Sequence, residues 1–195
     1  MNMRKNIILL LLFAAMTTLT VSCGKDDTDS DGKSGNISGM PTFAELYSYI
    51  GRTDIDALKA EFTASGYHVV MEESDLVAEK EDVDCYDLKI SNGKVTHATY
   101  DFEDNTGKTK ELLLSKMEDE KKFRSQSGLT QYSGFLYLRD SGETQFSDKD
   151  RLISALQNLD LSTIEEGGSH SYYSDVETIF FFGGVHGFSY GLEQR

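Results

Sequence analysis

Apolar and polar residues follow two different periods along residues 41–195, and these periods predict helices and strands in mixed order. Apolar residues recur every three or four positions in several segments, which is typical of amphipathic helices. These segments cover residues 43–50, 54–65, 108–123 and 148–159. Thr42 and Glu45 form a capping-box pattern at the start of the first segment, and Gly51 is suited to its end. The pattern therefore predicts helices at these four places.

Alternating apolar and polar residues around a turn predict a first β-hairpin. Asn92-Gly93 is a favoured pair for a two-residue turn, and it separates predicted strands at residues 85–91 and 94–103. Further single strands are predicted at residues 67–72 and 132–140. Residues 73–84 are acidic and lack a period, so we expect them to form a loop.

The last part of the chain predicts a second hairpin that is rich in aromatic residues. Gly183-Gly184 is suited to a two-residue turn. That turn would place Phe180 opposite Gly187 and Val176 opposite Gly191. Gly167-Gly168 is expected to break the chain before this hairpin begins.

The order of these elements predicts the fold class. Helices alternate with antiparallel hairpins and not with single parallel strands, which favours an α+β fold over an α/β fold. We therefore expect one globular domain at residues 41–195, with an antiparallel sheet built from hairpins and with helices packed on one face.

The first 22 residues have the pattern of a secretory signal peptide. Arg4 and Lys5 precede an unbroken apolar run at residues 7–16, and threonines and small residues follow it. A membrane-spanning helix needs about 20 apolar residues, so this run is too short to be one.

Cys23 lies at the point where the signal peptide would end, after Val21 and Ser22. This arrangement resembles the lipobox of Bacteroidota-type bacterial lipoproteins. The resemblance implies that the chain is cut before Cys23, that the thiol carries a diacylglycerol, and that the protein is anchored in the outer membrane. A disulfide between Cys23 and Cys85 is the alternative role for this thiol, because an exported protein permits it.

Residues 23–40 are rich in Gly, Ser and Asp, which is typical of a flexible, solvated tether. Lys25-Asp26-Asp27 resembles the acidic export signal of surface-exposed Bacteroidota lipoproteins, which implies display on the cell surface. Asp27, Asp29 and Asp31 match the start of a calcium loop, but its twelfth position is Ser38 and lacks the required carboxylate. No metal is therefore expected here.

Charge and motif content limit the functions that the domain can have. The formal net charge of -14 disfavours binding to nucleic acid, because the phosphate backbone would be repelled. No nucleophile elbow and no phosphate-binding glycine loop occurs in the sequence. We therefore expect no cofactor, and a binding or accessory role is favoured over catalysis.

The aromatic terminal hairpin is the best candidate for a binding surface. If one face of the sheet is left uncovered, Phe181, Phe188 and Tyr190 would form a platform for a glycan or a protein partner. If the sheet is covered on both faces, the same residues belong to the core.

Histidines and carboxylates offer an alternative, enzymatic interpretation. The four histidines form no metal-binding pattern in the sequence. His97 and His186 both fall in predicted hairpin strands, so they could meet in space. A metal site would be possible there only if a carboxylate such as Asp101 or Glu177 converged with them. The alternative function is therefore a cell-envelope hydrolase that uses His97 or His186 with a carboxylate.

Overall fold

The computed structural model of the protein describes residues 39–80, 84–104, 106–164, 167–173 and 175–195. The predicted signal peptide, Cys23 and the tether as far as residue 38 lie outside these ranges. No helix within the described ranges is both long enough and apolar enough to cross a membrane.

The described residues form four α-helices, nine strands and one 3-10 turn at Leu161–Thr163. The helices are α1 (Phe43–Tyr49), α2 (Ile55–Ala64), α3 (Thr109–Gln126) and α4 (Lys149–Gln157). The first five strands are β1 (His68–Glu72), β2 (Asp75–Lys80), β3 (Asp84–Ser91), β4 (Lys94–Glu103) and β5 (Gly134–Leu138). The last four are β6 (Gly142–Phe146), β7 (Gly167–Tyr173), β8 (Val176–Phe182) and β9 (Gly187–Gln194).

All nine strands join one antiparallel sheet in the order β1-β2-β3-β4-β9-β8-β7-β5-β6. The last strand of the chain, β9, lies near the centre and pairs with β4 on one side and β8 on the other. The helices pack on one face of this sheet. The predicted α+β fold, with an antiparallel sheet of hairpins, is therefore confirmed.

The sheet has two faces of different character, because successive side chains of a strand point to opposite sides. One row across the central strands consists of buried residues that lie under the helices: Ala78, Tyr86, Tyr100, Tyr190 and Phe180. We call this side the helix face, and it carries the hydrophobic core. We call the opposite side the open face.

The first helix is held firmly where the chain enters the domain. The predicted capping box is present, since the Glu45 backbone N–H donates to the Thr42 hydroxyl and Glu45 accepts from the Thr42 N–H. Met40 is fully buried, and the Lys116 ammonium donates to the carbonyl oxygens of Met40 and Pro41 at 3.2 and 2.9 Å. The packed structure therefore includes Met40, one residue before the predicted start of the domain.

The prediction of a loop at residues 73–84 is wrong, because Asp75–Lys80 form strand β2 and Asp84 begins strand β3. Leu76, Val77 and Ala78 are buried between the neighbouring strands β1 and β3. This apolar run is only three residues long and acidic residues flank it, so its period is too short to be recognised. Gly167-Gly168, expected to break the chain, begins strand β7.

The predicted register of the terminal hairpin is also wrong. Four residues, 183–186, separate β8 from β9, and Phe180 pairs with Tyr190 where the prediction placed Gly187. Gly187 has φ +139°, and a Cβ atom there would lie 2.1 Å from the carbonyl oxygen of Phe102. This glycine therefore allows the backbone of β9 to approach β4 closely, and it does not fill space beneath Phe180.

Candidate functional site

The open face carries a patch of aromatic side chains on strands β5, β7 and β8. We call it the aromatic surface, and it consists of Phe135, Tyr137, His170, Tyr172 and Phe181. The ring centroids of Phe135 and Tyr172 lie 5.4 Å apart, and those of His170 and Phe181 lie 5.4 Å apart. The His170 and Tyr172 rings are nearly parallel, with centroids 6.3 Å apart. Contacts between the rings therefore hold this surface in one arrangement.

The aromatic surface is accessible to solvent, and a glycine sets its shape. Tyr137 is 48% exposed and Phe181 is 37% exposed, which is unusual for such large apolar side chains. Gly168 pairs with both residues across the sheet and lies between them. A Cβ atom at Gly168 would lie 3.3 Å from the Phe181 ring. Because glycine has no side chain, this ring can pack close to the backbone of β7.

Charged and polar groups border the aromatic surface. Glu177 accepts a hydrogen bond of 2.9 Å from the Arg195 guanidinium, and its other oxygen lies 3.5 Å from Nδ1 of His170. The Arg195 guanidinium also lies 4.7 Å from the centroid of the Tyr172 ring. Next to Glu177 across the sheet, Glu193 contacts Nε2 of His97 at 2.9 Å. Exposed apolar area is therefore adjacent to several hydrogen-bonding groups.

The other half of the open face, on strands β3 and β4, is acidic. Burial raises the pKa of Asp87 to about 7, and the nearby carboxylates of Asp75 and Asp101 add to this effect. Burial also raises the pKa of Asp101 to about 6, although a hydrogen bond with Ser189 acts to lower this pKa. Cys85 lies on the same face as a free thiol, and burial followed by the charge of Asp101 raises its pKa. This thiol is consequently a poor nucleophile at neutral pH.

The three residues predicted to form a platform do not share one surface. Phe181 lies on the open face and belongs to the aromatic surface. Phe188 and Tyr190 point to the helix face and are 4% and 0% exposed. The Tyr190 hydroxyl donates to the carbonyl oxygen of Pro41 at 2.5 Å, and its ring packs 5.3 Å from Phe43. The shift in register of the terminal hairpin accounts for this separation.

Four members of the aromatic surface were not singled out by sequence reasoning: Phe135, Tyr137, His170 and Tyr172. Their signal is visible in the sequence as alternating aromatic positions in GFLYL and GGSHSYY. The alternation shows that Phe135 and Tyr137 share one face of their strand, and that His170 and Tyr172 share one face of theirs. It does not show that β5 and β7 are neighbours, because 28 residues separate the two strands in the chain.

The two histidines of the enzymatic alternative lie far apart. His97 pairs with Glu193 near the start of β4, whereas the His186 carbonyl oxygen accepts from the Asp104 N–H just beyond the end of β4. The intervening length of strand corresponds to about 20 Å. Within the described ranges no group of three or more His, Cys, Asp or Glu residues is arranged to hold a metal ion.

Comparisons of this chain with protein-family models, with curated proteins and with solved structures find no match. The functional argument therefore depends on the chemistry of the surface itself.

Proposed function

We propose that this protein is a lipid-anchored binding protein of the bacterial outer membrane, which holds a neutral glycan on its aromatic surface. The observation that carries the proposal is the exposed group of aromatic rings on the open face, with Tyr137 and Phe181 at 48% and 37% exposure. Aromatic rings with a few well-placed polar groups are the usual lining of ligand sites in proteins.

The border of the aromatic surface favours a ligand with hydroxyl groups. Glu177 and Arg195 offer acceptors and donors beside the Tyr172 ring, and Glu193 offers further acceptors next to them. Sugar rings present apolar C–H faces that stack on aromatic rings, and hydroxyl edges that bond to such groups. The net charge of -14 repels polyanions, which favours a neutral polysaccharide over an acidic one.

Truncating two exposed rings should abolish binding and leave the fold intact. In native affinity gels that contain neutral polysaccharides, such as glucans, mannan or xylan, we expect at least one polymer to retard the wild-type protein. The double variant Tyr137→Ala/Phe181→Ala should bind that polymer at least about tenfold more weakly. Its melting temperature should stay close to that of the wild type, because both side chains are exposed.

Tyr47→Ala is the matched control, because Tyr47 is also exposed but lies on α1, on the opposite side of the sheet. This variant should be retarded like the wild type. If the double variant is retarded as strongly as the control, or if no neutral polysaccharide retards the wild type, the proposed function is wrong.

The membrane anchor is a separate part of the proposal and has its own test. In cells that express the full chain, we expect Cys23→Ala to move the protein from the membrane fraction to the soluble fraction, because the thiol that would be acylated is missing. Cys85→Ala also removes a thiol, and this variant should stay in the membrane fraction. A Cys23→Ala protein that still sediments with membranes after a carbonate wash would contradict lipidation.

A further inference from the structure

Strand β1 forms one edge of the nine-stranded sheet, and no other described strand lies along its outer side. Its five residues pair with β2 over their full length in one continuous register. A free edge presents unpaired N–H and C=O groups, and most proteins protect such an edge with lysine, proline or a bulge. The sequence HVVME contains neither lysine nor proline, so this edge is open to another strand.

The backbone groups that point outward from β1 belong to Val69 and Met71. The Ile90 N–H on β3 donates to the carbonyl oxygen of Ser74 at 2.8 Å, so the backbone groups of Ser74 face β3. Successive residues of a strand alternate in direction, so the residue after Ser74 faces β1 and forms a hydrogen-bonded pair with Glu72. Counting back from Glu72, the N–H and C=O groups of Val69 and Met71 point away from β2.

Apolar side chains lie beside these outward groups. Met71 is 42% exposed, and Val69 and Val70 are only partly covered. The edge at the other end of the sheet is different, because strand β6 has the sequence GETQF and its first four residues are exposed and not apolar. The β1 edge therefore suits an apolar partner strand, and the β6 edge does not.

The sequence of β1 is complementary to itself when two copies run antiparallel about Val70. In this register the two Val70 residues lie opposite each other, and Val69 lies opposite Met71 of the second copy. His68 lies opposite Glu72 of the second copy, where an imidazole N–H can donate to the carboxylate. Only this register pairs all five residues of both strands. The likeliest chain to fit this edge by charge and by shape is thus a second copy of the same chain.

We propose that two copies of this chain associate through β1 and form one continuous antiparallel sheet across a twofold axis at Val70. The outward N–H and C=O groups of Val69 bond to those of Met71 in the second copy, and the reverse pair forms by symmetry. Residues that lie directly opposite each other point to the same face, so both open faces lie on one side of the joined sheet. Two aromatic surfaces are then displayed together, although the pairing does not depend on what they bind.

A cysteine at the twofold axis tests the pairing in the full chain. In the proposed register the two Val70 residues form a non-hydrogen-bonded pair with Cα atoms about 4.5 Å apart, which is within reach of a disulfide. In cells that express Val70→Cys, we expect mild oxidation to give a linked dimer on non-reducing gels, at least about fivefold more abundant than in the wild type. Reduction should remove this dimer.

Glu72→Cys is the matched control, because Glu72 lies on the same strand and is more exposed than Val70. In the proposed register the two Glu72 residues are four positions out of line, which corresponds to about 14 Å along the strands. This distance is beyond the reach of a disulfide. The control should therefore give no more linked dimer than the wild type.

Charge variants test the contacts at the two ends of the pairing. Glu72→Arg should raise the dissociation constant of the dimer at least about fivefold, because each dimer contains two contacts between His68 and Glu72. The double variant His68→Glu/Glu72→Arg exchanges the two charges and should recover most of the loss. Glu143→Arg makes the same charge change at an exposed position of β6 and should leave the dimer unaffected. Light scattering of the purified proteins over a dilution series measures these constants.

The proposal is wrong if Val70→Cys forms no more linked dimer than Glu72→Cys. It is also wrong if the purified wild-type protein keeps the mass of a monomer throughout the dilution series. The second measurement needs no substitution, so it decides the outcome even if the cysteine at position 70 disturbs the fold.

Discussion

Replacing Glu120 with glutamine should lower the free energy of unfolding by about 3–5 kcal/mol, because two buried cations would lose their carboxylate. Glutamine keeps the shape of the side chain, so the effect reports charge and not packing. The Arg124 guanidinium and the Lys149 ammonium would remain buried without a negative partner. Urea unfolding at neutral pH measures the change directly.

Glu118→Gln is the matched control for this prediction. Glu118 lies on the same helix, but it is exposed and lies 4.0 Å from Lys121 in a surface ion pair. We expect a change of less than about 0.5 kcal/mol there. If the two variants lose the same stability, the buried ion pairs of Glu120 with Arg124 and Lys149 do not stabilise the fold.

The same variant should change how stability depends on acid pH. Burial opposes ionisation of Glu120, but Lys149 and Arg124 outweigh it and hold the pKa of this carboxyl below its ordinary value of 4.5. Its stabilising contribution is therefore present above pH 4.5 and is lost as the pH falls through the lower folded-state pKa. Stability should fall less steeply in this range for Glu120→Gln than for the wild type.

Replacing Phe43 with alanine should also cost about 3–5 kcal/mol, because it leaves a cavity in the centre of the core. Phe43 is fully buried, and its ring packs 5.4 Å from Phe180 and 5.3 Å from Tyr190. The change removes the contacts of this ring with β8 and β9. Calorimetry should show a fall in melting temperature of about 10 °C or more.

Tyr47→Ala is the control, because it makes a comparable change on the same helix at an exposed position. Comparing the two variants separates the loss of core packing from any change in helix propensity. Tyr47 is 43% exposed and contacts Phe123 from the edge of the core, so its loss should cost clearly less. A Phe43→Ala variant no less stable than Tyr47→Ala would show that α1 contributes little to the core.

Local signals in the sequence predicted many of the individual elements. Asn92-Gly93 forms the turn of the β3–β4 hairpin, with both residues at positive φ. Thr42 and Glu45 cap α1 as their spacing predicts. These predictions succeed because a turn or a cap depends on residues within four positions of one another.

Predictions that depended on distant neighbours were less successful. Strand β2 was missed because pairing on both sides stabilises its short apolar run, and that pairing is not visible locally. The terminal hairpin was given the wrong register because the close approach of β4 at Gly187 sets where β9 begins. A change in register moves side chains between faces, which placed Phe188 and Tyr190 in the core.

The sequence by itself determined the fold class, the acidic character of the protein and most of the local turns and caps, since periodicity, charge and short-range hydrogen bonding are properties of consecutive residues. It also carries the lipobox-like pattern at Cys23, from which we propose an anchor. Only the tertiary structure decided which rings are exposed and which charges are buried. The aromatic surface needs β5 and β7 side by side, and the buried contacts of Glu120 with Arg124, Lys149 and Thr178 need α3, α4 and β8 together. Both are formed by long-range packing, which no local pattern encodes.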